Sequence, residues 1–225
     1  MAWVPMTPMR PVRVSVHLMR AIPIAPMAVT TEVLRAGKQV AVVDAHLALD
    51  DGTPVATARA QCIRTEAVEV PVEPTTDQLP WPPEEHPIPV APWDRAGDDG
   101  LERFHLHAMT VRSITGGWET PGPGAAWLRL DAALVAGEDP SPTVRFAALA
   151  DATNGLTHVL PVDRFSWVNP DLTVALHRPP TGEWLGLEGR SDVGPDGIGV
   201  ATATAYDRDG RFGGVTLTQL VRALP

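Results

Sequence analysis

The feature that most constrains the fold of this chain is a weak internal repeat. Residues 14–64 align without gaps over residues 172–222, a shift of 158 positions, with nine identities in 51 positions. Alternating apolar and polar residues, an Asp-Gly pair and a Gln-x-x-Arg ending keep their register along the whole alignment. A duplicated unit explains this agreement better than two unrelated β-meanders that share turn residues. We therefore expect two copies of one antiparallel unit.

Each copy predicts four strands, with an Asp-Gly hairpin before the last one. The strands predicted in the first copy are Val12–Arg20, Ala28–Arg35, Gln39–Leu49 and Pro54–Arg64. Those predicted in the second copy are Leu172–Arg178, Trp184–Asp192, Gly199–Asp207 and Arg211–Arg222. Their alternation has the period of two that is typical of half-buried strands.

The second copy is preceded by elements that the first copy lacks. Two further strands are predicted there, within residues 103–114 and 125–136. An alanine-rich helix then begins near Pro142, with Asp139 or Ser141 as its cap and Asn154-Gly155 as its end. Together these elements indicate an α+β fold in which a curved antiparallel sheet wraps a helix.

A proline-rich segment separates the two copies. We expect an N-terminal domain of residues 1–66, a linker of residues 67–100 and a C-terminal domain of residues 101–225. The linker composition predicts an extended or polyproline conformation outside the core. Its Trp81 and Trp93 are expected to dock on a domain surface.

The charge and composition argue against several classes of function. The net charge is -9 and the sequence pI is about 5.2. This argues against nucleic acid or an anionic membrane as a partner, because both attract basic surfaces. No apolar run approaches the roughly 18–20 residues needed to span a bilayer, and the N-terminus lacks a signal-peptide core. A cytoplasmic protein is therefore expected.

The sequence predicts neither a metal nor a cofactor. The single cysteine, Cys62, excludes an intrachain disulfide and a cysteine-based zinc site, and its predicted strand favours a buried, inert thiol. His105 and His107 would lie on one face of a strand without a third ligand. No phosphate-binding glycine loop and no Gly-x-Ser-x-Gly motif is present, so a serine nucleophile is not expected.

Two long stretches resemble a known family. They are WVNPDLTVALHRPPTGEWLGLEGRSDVGPDGIG (residues 167–199) and RPVRVSVHLMRAIPIAPMAVTTEVLRAGKQVAVVDAHL (residues 10–47). They resemble the double-hotdog acyl-CoA thioesterases, namely bacterial acyl-CoA thioesterase II and its actinobacterial relatives. The resemblance implies two fused hotdog domains, which explains the repeat. It also implies that the N-terminal hotdog is incomplete, because its first strand and central helix have no counterpart here.

The resemblance implies that a water molecule is activated by Asp151, Asn169 and Gln219. Asp151 is the only charge within an apolar helix stretch, and its alternative role is that of a hydrogen-bonding residue at the helix end. Asn169 cannot lose a proton, so it would orient the water, and its alternative role is that of an Asn-Pro turn residue.

The position of the glutamine is open at this stage. Register against the family places it nearer Leu217 or Thr218, although a slip of two residues would keep the side chain of Gln219 on the same face. Gln61 aligns with Gln219 in the first copy, which favours a structural role for both.

The resemblance adds four candidate substrate-binding residues: Asn154, Gly155, Thr173 and Arg178. Arg178 recurs as Arg20, and it would either pair with a carboxylate or bind a phosphate of coenzyme A. The implied activity is hydrolysis of a fatty acyl-CoA to the free acid and coenzyme A. The alternative is a non-catalytic acyl-thioester-binding or assembly module. A dehydratase is disfavoured because the predicted helix has no histidine, and exposed sheet edges leave a homo-oligomer open.

Overall fold

The computed structural model describes residues 8–69, 77–88, 104–118 and 120–224, and within them eleven strands form one sheet. The strands are β1 (Met9–Leu18), β2 (Met27–Ala36), β3 (Val40–Leu49), β4 (Pro54–Arg64), β5 (Met109–Thr115), β6 (Gly124–Leu130), β7 (Phe165–Val168), β8 (Asp171–Leu176), β9 (Trp184–Val193), β10 (Ile198–Asp207) and β11 (Gly210–Ala223). The helices are α1 (Phe104–His107), α2 (Pro142–Leu149) and α3 (Ala152–Leu156), and Pro83–Glu85 form a 3-10 turn. The sheet order is β2-β3-β4-β1-β8-β11-β10-β9-β6-β5, with β7 paired to the end of β11.

The eight strands predicted from the repeat are confirmed within a few residues at each end. The order β2-β3-β4-β1 has the same form as the order β9-β10-β11-β8. The two sets meet where β1 and β8 pair antiparallel, with Ser15 opposite Thr173 at the centre of the pairing. Thr173 Oγ1 donates a hydrogen bond to Ser15 Oγ over 3.0 Å. One continuous antiparallel sheet therefore spans both sets.

The last strands of the two sets differ in register by one residue. Val42 lies opposite Gln61, whereas Val200, its counterpart in the alignment, lies opposite Thr218. Cys62 therefore has the place that Gln219 has in β11, and the expected equivalence of Gln61 and Gln219 is wrong. The cause is the hairpin, which closes through two residues between Asp207 and Gly210 but through a longer turn between β3 and β4.

A one-residue difference moves a side chain to the other face of a sheet. Gln61 is exposed, whereas Gln219 is only 4% exposed. Cys62 is half-buried, and this burial raises the pKa of its thiol. The expectation of a buried, inert thiol is therefore met in part.

The elements before β8 depart from the sequence prediction in three places. Phe104–His107 form a helical turn instead of a strand, so His105 and His107 are not a strand pair. β6 ends at Leu130, and turns follow. The helix begins as predicted, with Ser141 Oγ accepting from Val144 N, but it is divided into α2 and α3. Asn154 and Gly155 lie inside α3 and do not end it.

The main core lies between the two helices and one face of the C-terminal strands. Phe146 and Leu149 of α2 and Leu156 of α3 are buried there, and the ring of Phe146 contacts that of Phe212 edge to face at 4.8 Å. Burial of such side chains is the main source of stability in a domain of this size. The wrapped helix predicted from the sequence is thus a helix pair that rests on the sheet.

The described part of the linker contributes to a second, smaller core on the opposite face of the sheet. Leu79 is buried with Trp127, Trp184 and Tyr206. Trp81 docks as predicted, with its ring edge to face with that of Trp127 at 5.2 Å, and Trp127 Nε1 donates to Pro80 O over 2.7 Å. The expectation that the linker lies outside the core is wrong for these residues, because their apolar side chains pack on the aromatic rings of the sheet. Trp93 lies outside the described residues.

No helix in the described ranges is long and apolar enough to cross a membrane.

Candidate functional site

Four polar side chains form one hydrogen-bonded chain beside α3. Asn169 Nδ2 donates to Asp151 Oδ1 over 2.8 Å, and Asn154 Nδ2 donates to Asn169 Oδ1 over 3.0 Å. Gln219 Nε2 in turn donates to Asn154 Oδ1 over 2.8 Å. The structure thus brings together the three residues of the proposed catalytic group, with Asn154 between two of them.

The four members of this hydrogen-bonded chain come from three local settings. Asp151 is the cap residue of α3, and Asn154 follows it within the same helix. Asn169 lies between β7 and β8, where Asn-Pro ends one strand before the next begins. Gln219 is on the inner face of β11, opposite Gly199, where a Cβ would lie 2.7 Å from Gln219 Oε1. A larger residue than glycine at 199 would therefore displace the glutamine.

Among these four hydrogen-bonded side chains, only that of Asp151 carries a formal charge. Asp151 is exposed as a residue, but partial desolvation of its carboxyl group by the surrounding protein raises the pKa of that group, and the hydrogen bond from Asn169 opposes that rise. A carboxylate only accepts hydrogen bonds, so it fixes which end of the Asn169 amide faces it. An aspartate with a raised pKa is a better proton acceptor than an ordinary one, as general base catalysis requires.

A cavity of about 400 Å³ opens beside Asp151 and Asn154. This volume lies at the lower end of the roughly 300–1,000 Å³ that is typical of small-molecule sites. Its remaining lining is mainly apolar and includes Met109, Trp118, Phe165 and Trp167. A carboxylate and an amide at the edge of an apolar cavity suit a substrate with an apolar part next to a reactive polar group.

Gly155 fixes one wall of this cavity. A Cβ at this position would lie 2.6 Å from Trp118 Nε1, so the close approach of α3 to the indole ring requires glycine. This contact places Gly155 in the wall of the cavity, and its role as a substrate-binding residue stays a prediction.

His158 is a residue near the site that the sequence analysis did not single out. Its Nδ1 donates to Gly155 O over 3.0 Å, and its ring stacks on that of Trp167 at 5.3 Å. Burial lowers the pKa of this imidazole, which favours the neutral form. Nothing in the local sequence pointed to His158, because a hydrogen bond to a backbone carbonyl and a ring contact leave no sequence pattern.

Two candidate substrate-binding residues lie apart from the chain of amides. Thr173 bonds to Ser15 at the junction of β1 and β8. Arg178 makes two hydrogen bonds to Asp207, of 2.5 and 2.7 Å, and a third to Gly210 O. Of the two roles that the sequence left open for Arg178, the structure shows the carboxylate pair.

The other residues considered for the place of the glutamine do not reach Asn154. Leu217 is a fully buried apolar residue. Thr218 is exposed, and it hydrogen-bonds to Asp171. Gln219 is the residue whose side-chain amide reaches Asn154. Among the described residues there is no group of three or more His, Cys, Asp or Glu side chains that could hold a metal ion.

Similarity to solved structures shows the fold. A conserved hotdog-fold protein of unknown function from Alicyclobacillus acidocaldarius superposes with a TM-score of 0.73 at 19% identity, over 99% of this chain and 82% of that chain. An acyl-CoA thioesterase II from Mycobacterium marinum gives a TM-score of 0.69 at 15% identity, over 96% of this chain and 82% of that chain. The chain therefore has a hotdog-type fold.

The sequence narrows this class to a family. Residues 76–221 match the model of the acyl-CoA thioesterase C-terminal domain, and residues 2–63 match that of the N-terminal domain. The chain belongs to the acyl-CoA thioesterase family. A search of curated proteins found no match to its sequence.

Proposed function

We propose that this protein hydrolyses a fatty acyl-CoA at the site formed by Asp151, Asn169 and Gln219. The Asp151 carboxylate takes a proton from a water molecule as the water oxygen attacks the thioester carbonyl carbon. The tetrahedral intermediate then collapses, the carbon–sulfur bond breaks, and the proton passes from Asp151 to the sulfur. The products are the free acid and the thiol of coenzyme A.

One observation carries this proposal: the hydrogen-bonded chain ends on a carboxylate with a raised pKa beside an apolar cavity. Asn169 holds Asp151 by its amide and leaves one carboxylate oxygen outside that bond. A general base needs this free oxygen within reach of the water. The cavity offers a place for the acyl group next to it.

The proposal includes a double-hotdog architecture. Residues 1–66 would form the N-terminal hotdog, residues 67–100 the linker, and residues 101–225 the C-terminal hotdog. The repeated strand order and the pairing of β1 with β8 support this division. The site would then belong to the C-terminal hotdog.

A second candidate function is an acyl-thioester-binding or assembly module without turnover. The observation in its favour is that Gln219 is 4% exposed and already bonded to Asn154. A glutamine so enclosed is not placed to hold the attacking water directly. In this alternative, acyl-CoA would bind the cavity and remain intact.

Release of free thiol from acyl-CoAs of short to long chain length tests the proposal. Asp151→Asn keeps the shape of the side chain but removes the base, and it is expected to lower kcat by about 10²–10⁴-fold. Asp44→Asn, in the sheet of the N-terminal strands, is the matched control and should keep full turnover. An Asp151→Asn variant with undiminished turnover would contradict the mechanism. Binding of acyl-CoA without turnover by the wild type would favour the module.

A further inference from the structure

We propose that Asn154 is the catalytic amide of this site, donating a hydrogen bond to the thioester carbonyl oxygen, and that Gln219 is a positioning residue that holds Asn154. This inference rests on the proposed function and deepens it. Sequence reasoning placed Gln219 among the groups that contact the reacting water. The structure places a different amide at the cavity.

The first step of the argument is the direction of the hydrogen bonds. Gln219 donates to Asn154, Asn154 donates to Asn169, and Asn169 donates to Asp151. Every amide thus points its NH₂ group toward the carboxylate. The ionised form of Asp151 accepts only, so it determines the orientation of all three amides in turn.

The second step is access. Asn154 lines the cavity of about 400 Å³ together with Asp151, whereas Gln219 does not line it. Gln219 instead borders a space of about 10 Å³, beside His158 and Trp167. A space of this size holds at most one water molecule and cannot admit a thioester. Contact between substrate and Gln219 would therefore need the site to rearrange, and contact with Asn154 would not.

The third step is the hydrogen-bonding capacity that Asn154 has left. A primary amide has two N–H donors and two acceptor lone pairs. One N–H of Asn154 binds Asn169 and one lone pair accepts from Gln219. Within the described part of the chain, the second N–H has no partner. That donor is available to an oxygen atom in the cavity.

The chemistry of thioester hydrolysis needs such a donor. Negative charge develops on the carbonyl oxygen as water attacks, and a fixed amide N–H stabilises it without reorganisation. Gln219 and Asn169 hold both ends of the Asn154 amide, so its second N–H is fixed in direction. The base at Asp151 and the donor at Asn154 lie within one turn of the same helix segment and so act on one substrate group.

Steady-state kinetics of Asn154→Ala and Gln219→Leu test the two roles. Loss of one oxyanion donor costs about 10²–10³-fold in kcat, so Asn154→Ala should show that loss with little change in KM. Gln219→Leu should show a smaller loss, also in kcat. Gln61→Leu, an exposed amide on β4, is the matched control and should behave as the wild type. Asn154→Asp keeps the shape without the donors and should match Asn154→Ala.

A binding measurement separates this inference from the proposed function. Acyl-CoA carrying a ¹³C label at the thioester carbonyl is bound to Asp151→Asn, which holds it without turnover. Polarisation by Asn154 shifts the carbonyl ¹³C resonance downfield, and the added Asn154→Ala substitution should remove that shift. An inactive wild type that still shows the Asn154-dependent shift would overturn the hydrolase but keep the role of Asn154. An unchanged resonance, or a folded Asn154→Ala variant with wild-type kcat, would overturn the inference.

Discussion

The N-terminal strands (β2, β3, β4, β1) and the C-terminal strands (β9, β10, β11, β8) share one order but differ in what covers them. Leu187 of β9 is fully buried under the helix pair, whereas Val29, its counterpart in β2, is 67% exposed. Both residues face the same side of the sheet, opposite Ala205 and Leu47 respectively. Among residues 8–69, only three apolar residues are buried: Ala41, Val55 and Ala56.

The comparison shows that strand pairing and core formation depend on different contacts. Alternating apolar residues give each strand an apolar face, and backbone hydrogen bonds align the strands, whether or not anything covers that face. Burial comes only from an element that packs on the sheet, which here is the helix pair over the C-terminal strands. The N-terminal strands keep a continuous apolar face that is open within the described residues.

The ion pairs of the two sets differ in the same way. Arg59 binds Asp44 through two hydrogen bonds of 2.7 Å, and their side chains are 60% and 15% exposed. Arg178 binds Asp207 with similar geometry, but its side chain and that of Asp207 are 28% and 0% exposed. The same pair of residue types is therefore more deeply buried in the C-terminal set than in the N-terminal set.

The largest effect is expected from breaking the buried ion pair. Arg178→Ala leaves the Asp207 carboxylate buried without its charged partner, which should lower the free energy of unfolding by about 3–5 kcal/mol. Arg59→Ala is the matched control and should leave the urea midpoint close to that of the wild type. Equal losses in the two variants would show that the N-terminal pair is also buried in solution.

Truncation of the two aligned residues Leu187 and Val29 tests whether the two sets differ in burial. Leu187→Ala should cost about 2–5 kcal/mol, because it leaves a cavity beneath the helix pair. Val29→Ala should change the free energy of unfolding by no more than about 0.5 kcal/mol. Urea denaturation measures both values. A loss of about 2 kcal/mol in Val29→Ala would mean that another element covers the N-terminal face in solution.

The smallest effect is expected from the titration of Asp151. Its raised pKa means that the folded protein binds this proton more tightly than the unfolded chain does. The free energy of unfolding should therefore fall as the pH rises from below the unfolded pKa of about 3.9 through the folded pKa. Asp151→Asn removes this decline.

Urea midpoints of the wild type and of Asp151→Asn, measured from about pH 4 to about pH 7, check this expectation. The variant should gain stability relative to the wild type as the pH rises. Parallel profiles would mean that the carboxyl group of Asp151 is no harder to ionise in the folded protein than in the unfolded chain. Asp44→Asn again serves as the control, because Arg59 lowers the pKa of Asp44.

Much of the fold could be predicted from the sequence, because period-two alternation is a local property of a strand. The strands of both sets were predicted in this way. Turn and cap residues gave the start of the helix with Asp139 or Ser141 as its cap, of which the structure has Ser141, and the linker composition gave the docking of Trp81. The helical turn at Phe104–His107 was missed, because four alternating residues fit a strand as well as a helix. For the candidate site, the sequence pointed to Asp151, Asn169 and Gln219 and to Asn154 as a substrate-binding residue, but it placed Asn154 at the end of a helix, whereas Asn154 lies within α3.

The sequence by itself determined where the strands run, which of their faces is apolar and where the carboxylate of the site lies. Only the tertiary structure decided that a hairpin one residue shorter turns Gln219 inward while the aligned Gln61 faces outward. Only it joined Asp151, Asn154, Asn169 and Gln219, which lie up to 68 positions apart, into one chain of hydrogen bonds. The alignment without gaps does not show the length of the hairpin on which the register depends. The hydrogen bonds between distant segments depend on how those segments pack, and that packing leaves no periodic signal in the sequence.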